Sequence, residues 1–161
     1  MKNNLLLTVL ALFFLFNNAY SQKTFWTKTN FEKTNSFEKF QRTTMPSKYQ
    51  IFSLKLDEFK LALSNAPTDL SGKTSNVIMS FPNADGVLMN YRVYNSPVME
   101  AGLAEKFPDI RTYLAKGIDD KTAIMRISFT QFGLHSMTLS GDTGATYIDT
   151  YTKRFKKLYR V

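Results

Sequence analysis

Residues 81–150 read FPNADGVLMNYRVYNSPVMEAGLAEKFPDIRTYLAKGIDDKTAIMRISFTQFGLHSMTLSGDTGATYIDT. Apolar residues alternate with polar ones in short runs. Turn signals separate the runs at Asp85-Gly86, Gly117, Phe132-Gly133 and Gly141-Asp142-Thr143-Gly144. That spacing fits antiparallel hairpins better than helices. The run 122–130 carries the strongest alternation. Ala123, Met125, Ile127 and Phe129 fall on one face, and Ile124, Arg126, Ser128 and Thr130 on the other. Residues 134–139 return, and 145–149 add a third strand, which makes a C-terminal meander. Upstream, 77–81 and 87–94 form a hairpin around 82–86, with Gly86 at a positive-φ position. Residues 110–115 read as a further strand, and 99–107 as a short helix or an irregular loop.

Outward from this centre, 49–56 alternates like a strand. Leu56, Phe59 and Leu63 then follow helical spacing, with Asp57 as the expected N-cap and Pro67 as the stop. Residues 68–76 form a polar loop. The fold class is therefore α+β: a mostly antiparallel sheet with one or two short helices. Its second face either packs on the first hairpin or waits for a partner.

The flanks differ from the centre. Met1 begins MKNNLLLTVLALFFLFNNAYSQ, in which Lys2 precedes a twelve-residue apolar run, 5–16, and Ala19-Tyr20-Ser21 supplies small residues for cleavage between Ser21 and Gln22. These are the parts of a secretory signal peptide, 1–21. The run is short for a membrane span, so the mature product is expected to be secreted or periplasmic, without a membrane span. Residues 22–48 read as a flexible or loosely docked arm bearing Phe31, Phe37 and Phe40. The domain proper is 49–152, and 153–161 reads as a basic tail or truncated linker.

Composition narrows the function. The 161-residue chain carries a formal charge of +8 and has no cysteine. Disulfides, thiolate metal sites and a cysteine nucleophile are excluded. The excess charge sits at the two ends, because 61–152 holds seven basic and nine acidic residues whereas 153–161 holds five basic and none acidic. Aromatic and basic residues interleave from Tyr151 to Arg160, a pattern that suits nucleic acid, but a leader sequence argues against such a partner.

Catalytic signals are thin. His135 is the one histidine, and on a regular strand it shares a face with Met137 and Leu139. A zinc site needs three or four ligands. A Ser-His-Asp set around His135 has no G-x-S-x-G turn to support it. Asp119-Asp120 is an adjacent pair of aspartates, either a contributor to a calcium site or a solvated turn. Asp142-Thr143-Gly144 matches the triplet of aspartic proteases, yet it sits where a hairpin needs a tight turn and has no second lobe. No catalytic residue, metal site or cofactor is expected. His135, Asp119 and Asp120 are the polar residues singled out as partner contacts.

Four pieces recur in order: SFPNADG from Ser80, Ser96-Pro97-Val98-Met99, the run LAEKFPDIRTY from Leu103, and FGLHSM from Phe132 followed by Tyr147-Ile148-Asp149. Together they resemble the N-terminal pro-region of secreted bacterial reprolysin-like (adamalysin-type, metzincin) zinc metallopeptidases, over about residues 52–151. In that family the pro-region precedes a catalytic domain with HExxHxxGxxH, a motif this sequence lacks. The resemblance implies a non-catalytic module that assists folding of a zinc metallopeptidase catalytic domain and keeps it latent, in cis or in trans. Related animal pro-domains use a cysteine on the zinc. With no cysteine here, latency is expected to come from cleft occlusion, or from another ligand such as a carboxylate or His135. The alternative is an independent secreted β-rich binding or adhesion module with a closed core and an exposed groove.

Overall fold

The computed structural model describes residues 24–29, 46, 48–151 and 157–161. The leader with its Ser21–Gln22 junction, the three arm phenylalanines and residues 153–156 lie outside the described residues. Nine strands form one sheet among the described residues: β1 (Trp26–Lys28), β2 (Ile51–Leu54), β3 (Ile78–Pro82), β4 (Leu88–Asn95), β5 (Arg111–Gly117), β6 (Ile124–Thr130), β7 (Gly133–Ser140), β8 (Gly144–Thr150) and β9 (Leu158–Arg160). Their order is β1-β2-β9-β8-β7-β6-β5-β4-β3, and every neighbouring pair is antiparallel. Helices α1 (Leu56–Leu63) and α2 (Ala101–Lys106) complete the elements used below. The expected antiparallel sheet with short helices is present, and the sheet dominates. None of the described helices is long and apolar enough to cross a membrane.

The sheet curls until it is nearly a barrel. Its two end strands approach each other, with the rings of Trp26 on β1 and Phe81 on β3 only 6.3 Å apart. The first hairpin, β3–β4, thus belongs to the same sheet as the meander rather than packing against it. The concave side is filled by alternate residues of the strands and by α1. Phe59 of α1 meets Phe25 at 5.4 Å, Trp26 at 5.9 Å, Phe81 at 5.4 Å and Phe129 at 6.4 Å. One ring therefore joins strands that stand at opposite ends of the sheet order.

Local chemistry sets the boundaries. The N-cap of α1 is Lys55, and no side chain caps the helix. Asp57 is instead in the first turn beside Glu58, where their charges oppose the positive end of the helix dipole. The helix stops at Leu63 because the Pro67 ring would collide with the Leu63 carbonyl. In the β3–β4 turn the Asn83 side chain accepts hydrogen bonds from the backbone N–H of Asp85 (3.0 Å) and Val87 (2.9 Å), and Gly86 takes φ +83°. Residues 101–106 resolve the open choice at 99–107 in favour of a helix.

Both flanks contribute strands, which corrects the arm and tail readings where residues are described. Trp26 is almost fully buried in β1. Leu158–Arg160 forms β9, wedged between β2 and β8. Tyr159 on β9 is fully buried, and its hydroxyl accepts a hydrogen bond from the Leu134 N–H at 3.4 Å. Burial pushes its phenol up to about 12 from the ordinary 10. The sign follows from the neutral form being favoured in the fold. This contribution is intact below pH 10 and is lost as pH climbs from about 10 through about 12, roughly 2–3 kcal/mol in all. Burial moves Tyr91 and Tyr113 the same way. Denaturant titration across pH 9–12 is expected to give a steep alkaline loss of stability, with a shallower slope for Tyr159→Phe. An unchanged slope in that variant would contradict the assignment.

Candidate functional site

Alternation places odd-numbered residues of β7 and β8 on the convex, outer face. The short turn after Ser140 pairs Ser140 with Gly144 and so sets the register of both strands. His135 consequently lies opposite Asp149. Its Nδ1 is 2.9 Å from an Asp149 carboxylate oxygen. The register continues outward in both directions. Asp149 faces Arg160 of β9 and Arg160 faces Ile51 of β2, while His135 faces Ser128 of β6 and Ser128 faces Thr112 of β5. A polar row thus crosses five strands, β9 to β5, on one face, with Ile51 of β2 next in register.

Both ends of the row are held in place. Arg160 is only 4% exposed, and its guanidinium lies against the rings of both Tyr49 (5.2 Å) and Tyr151 (5.7 Å), which neighbour each other at 6.3 Å. Such stacking keeps a cation favourable away from bulk water. At the other end, Arg126 donates to the Ser96 hydroxyl at 2.8 Å. The Thr112 hydroxyl donates to the Ser96 carbonyl at 2.6 Å and accepts from the Val98 N–H at 3.2 Å. These bonds tie the Ser96-Pro97-Val98 break to β5 and β6.

Two hollows adjoin over this row. One, about 390 Å³, is lined by Val98, Thr112, Arg126, His135, Met137 and Tyr147 among others. The other, about 700 Å³, is lined by Lys48, Tyr49, Asp85, Tyr147, Asp149 and Arg160 among others. Tyr147 and Asp149 line both, so the two form one groove. Beside it, Ile124 pairs with Leu139, and Met137 pairs with Tyr147. Ile124, Leu139 and Tyr147 are each more than half exposed.

The structure separates the two polar features singled out from sequence. Asp119 and Asp120 lie in the β5–β6 turn. Asp120 binds Ser140, five residues along β7 from His135, or about 17 Å at strand rise. Both carboxylates are engaged. Asp119 accepts from the Asn90 N–H at 2.8 Å. Asp120 accepts from the Ser140 hydroxyl at 2.6 Å, the Thr122 hydroxyl at 2.6 Å and the Thr122 N–H at 2.8 Å. These bonds, the one from Ser140 foremost, hold the Asp120 carboxyl below its usual value. Their work is to lock the turn.

His135 does keep the company of Met137 and Leu139 on the outer face, as its strand parity requires. Asp149, Arg126, Tyr147 and Ser96 were not singled out as site residues from sequence. Asp149 was within reach, because the Gly-Asp-Thr-Gly turn implies the register that brings it to His135. Arg126 and Ser96 meet through a contact thirty residues long in sequence, which no local pattern signals.

Chemically, the His135–Asp149 pair orients an imidazole on an open sheet face. Ser128 stands opposite His135, but among the described residues no hydroxyl hydrogen-bonds to that ring, so no activated nucleophile is assembled. Nor do three or more histidine or acidic side chains converge on a metal position among the described residues. No known protein family, curated protein or solved structure matches the chain.

Proposed function

We propose that the chain is a non-catalytic, pro-domain-like docking module whose partner is the catalytic domain of a secreted reprolysin-like zinc metallopeptidase. One observation carries the reading. Ile124, Met137, Leu139 and Tyr147 stand together on the outer face of β6–β8, exposed to solvent. Contiguous exposed apolar side chains on a soluble domain mark interaction surfaces. The partner class comes from the sequence resemblance, whose last piece includes Met137 and Tyr147 of this face.

Docking through this face would bury the four side chains and set the module over the active-site cleft, giving latency by occlusion. The same contacts would template the catalytic domain during folding. The module acts in cis if it precedes its protease in one polypeptide, and in trans otherwise. A second reading, an independent exported binding module, is favoured by the filled concave side and by the place of β9 within the sheet. Such a domain completes its core without a partner.

Capture by a reprolysin-like catalytic domain from the same genome tests the proposal. Tight capture with loss of peptidase activity is expected. Leu139→Glu, checked for native circular dichroism, is expected to weaken capture at least about tenfold, since a charge placed in a desolvated contact costs more than 1.4 kcal/mol. Equal capture of variant and parent, or no capture of either, would overturn it.

A further inference from the structure

The outer face is unbalanced in charge. Between β4 and β9 its strand positions carry Arg92, Lys116, Arg126 and Arg160 but one carboxylate, Asp149. That carboxylate is already 2.9 Å from His135. Along the groove the two exposed cations stand at opposite ends, Lys48 beside β2 and Arg126 on β6, with Tyr147 and Met137 between them. Asp85, from the β3–β4 turn, is the other acidic side chain lining the groove.

Dimensions narrow the occupant. The register line from Ile51 to Thr112 crosses five strand spacings of about 4.8 Å, hence about 24 Å. An extended chain covers that length in about seven residues. The groove is open along its length and has aromatic and thioether side chains at its middle, so it accepts a chain rather than a compact molecule.

We infer that the groove receives an extended peptide segment of about seven residues, apolar at its centre and acidic at both ends. The inference rests on the docking-module reading and names the chemistry of the partner's contacting segment. Acidic side chains would meet Lys48 and Arg126, and apolar ones would cover Tyr147 and Met137. Exposed charge pairs of this kind contribute mainly to selectivity and encounter rate, and they weaken with salt.

The test uses the purified chain and a fluorescein-labelled heptapeptide with leucine and phenylalanine at its centre and glutamates at both ends. The control replaces every glutamate with lysine. Fluorescence anisotropy is expected to show binding of the glutamate peptide, weakened by salt, and none of the lysine peptide. Lys48→Glu and Arg126→Glu, each with native circular dichroism, are expected to weaken binding about tenfold, and more in combination. Equal binding of both peptides, indifference to both substitutions, or no binding at about 1 mM would overturn the inference. Capture of the catalytic domain is measured in parallel. Retained capture with failed peptide binding rejects the acidic segment alone, whereas loss of both rejects the docking module as well.

Discussion

Phe59→Ala is expected to destabilise the chain by about 3–5 kcal/mol. Phe59 is fully buried. Its ring touches rings from β1, β3 and β6, and from Phe25 just before β1. Removing it takes away apolar burial and leaves a cavity where the curled sheet converges, and no single strand can shift to fill it. The loss is comparable to a large share of a small domain's total stability. Urea denaturation with circular dichroism measures it directly. A loss below about 1 kcal/mol would mean that α1 is a surface helix and that the sheet holds its curl without it.

Deleting residues 157–161 is expected to abolish cooperative folding. β9 separates β1–β2 from β3–β8 in the strand order. Without it, Tyr159 leaves the core, the Leu134 N–H loses its acceptor, and two strand edges are bared. Bared edges recruit other chains, so aggregation is the expected outcome alongside loss of a thermal transition. A truncated chain that melts cooperatively near the parent temperature would show that β2 closes on β8 unaided. The same experiment separates a structural strand from a linker more sharply than any single substitution.

The parts of the fold that were legible in the sequence are those with enough residues to show a period. In β6, Met125, Ile127 and Phe129 are buried while Ile124 and Arg126 are exposed, as alternation requires. The β3–β4 turn and the turn before β8 announce themselves through glycine. β1 and β9 have three residues each, too few for any period. Their partners are also distant: Tyr159 pairs with Phe52, more than a hundred residues away. Trp26 in a polar stretch and Tyr159 in a basic one look like isolated aromatics until the strands pair.

The site was half legible for the same reason. The outward parity of His135 follows from local alternation, and Asp149 follows from a short turn. The burial of Arg160 against two tyrosines depends on β9, so it was invisible, and a cation read as part of a basic tail is a packed member of the outer row. Asp119 and Asp120 illustrate the converse. Adjacent carboxylates stand out in a sequence, yet here the hydroxyls of Ser140 and Thr122 and the Asn90 backbone claim them. Nothing in the spacing of the pair reveals those partners.

The proposed docking puts a metallopeptidase catalytic domain over the outer face of β6–β8. The chain has no cysteine, so one introduced thiol reports on one position. Leu139 on the outer face is 53% exposed, and Leu61 on α1, the helix of the concave side, is 72% exposed. Maleimide labelling of Leu139→Cys and Leu61→Cys, with and without the catalytic domain, is the decisive measurement. Docking through the outer face is expected to slow labelling at position 139 at least about tenfold and to leave position 61 unchanged. Unchanged labelling at 139 while the domain is bound would contradict it.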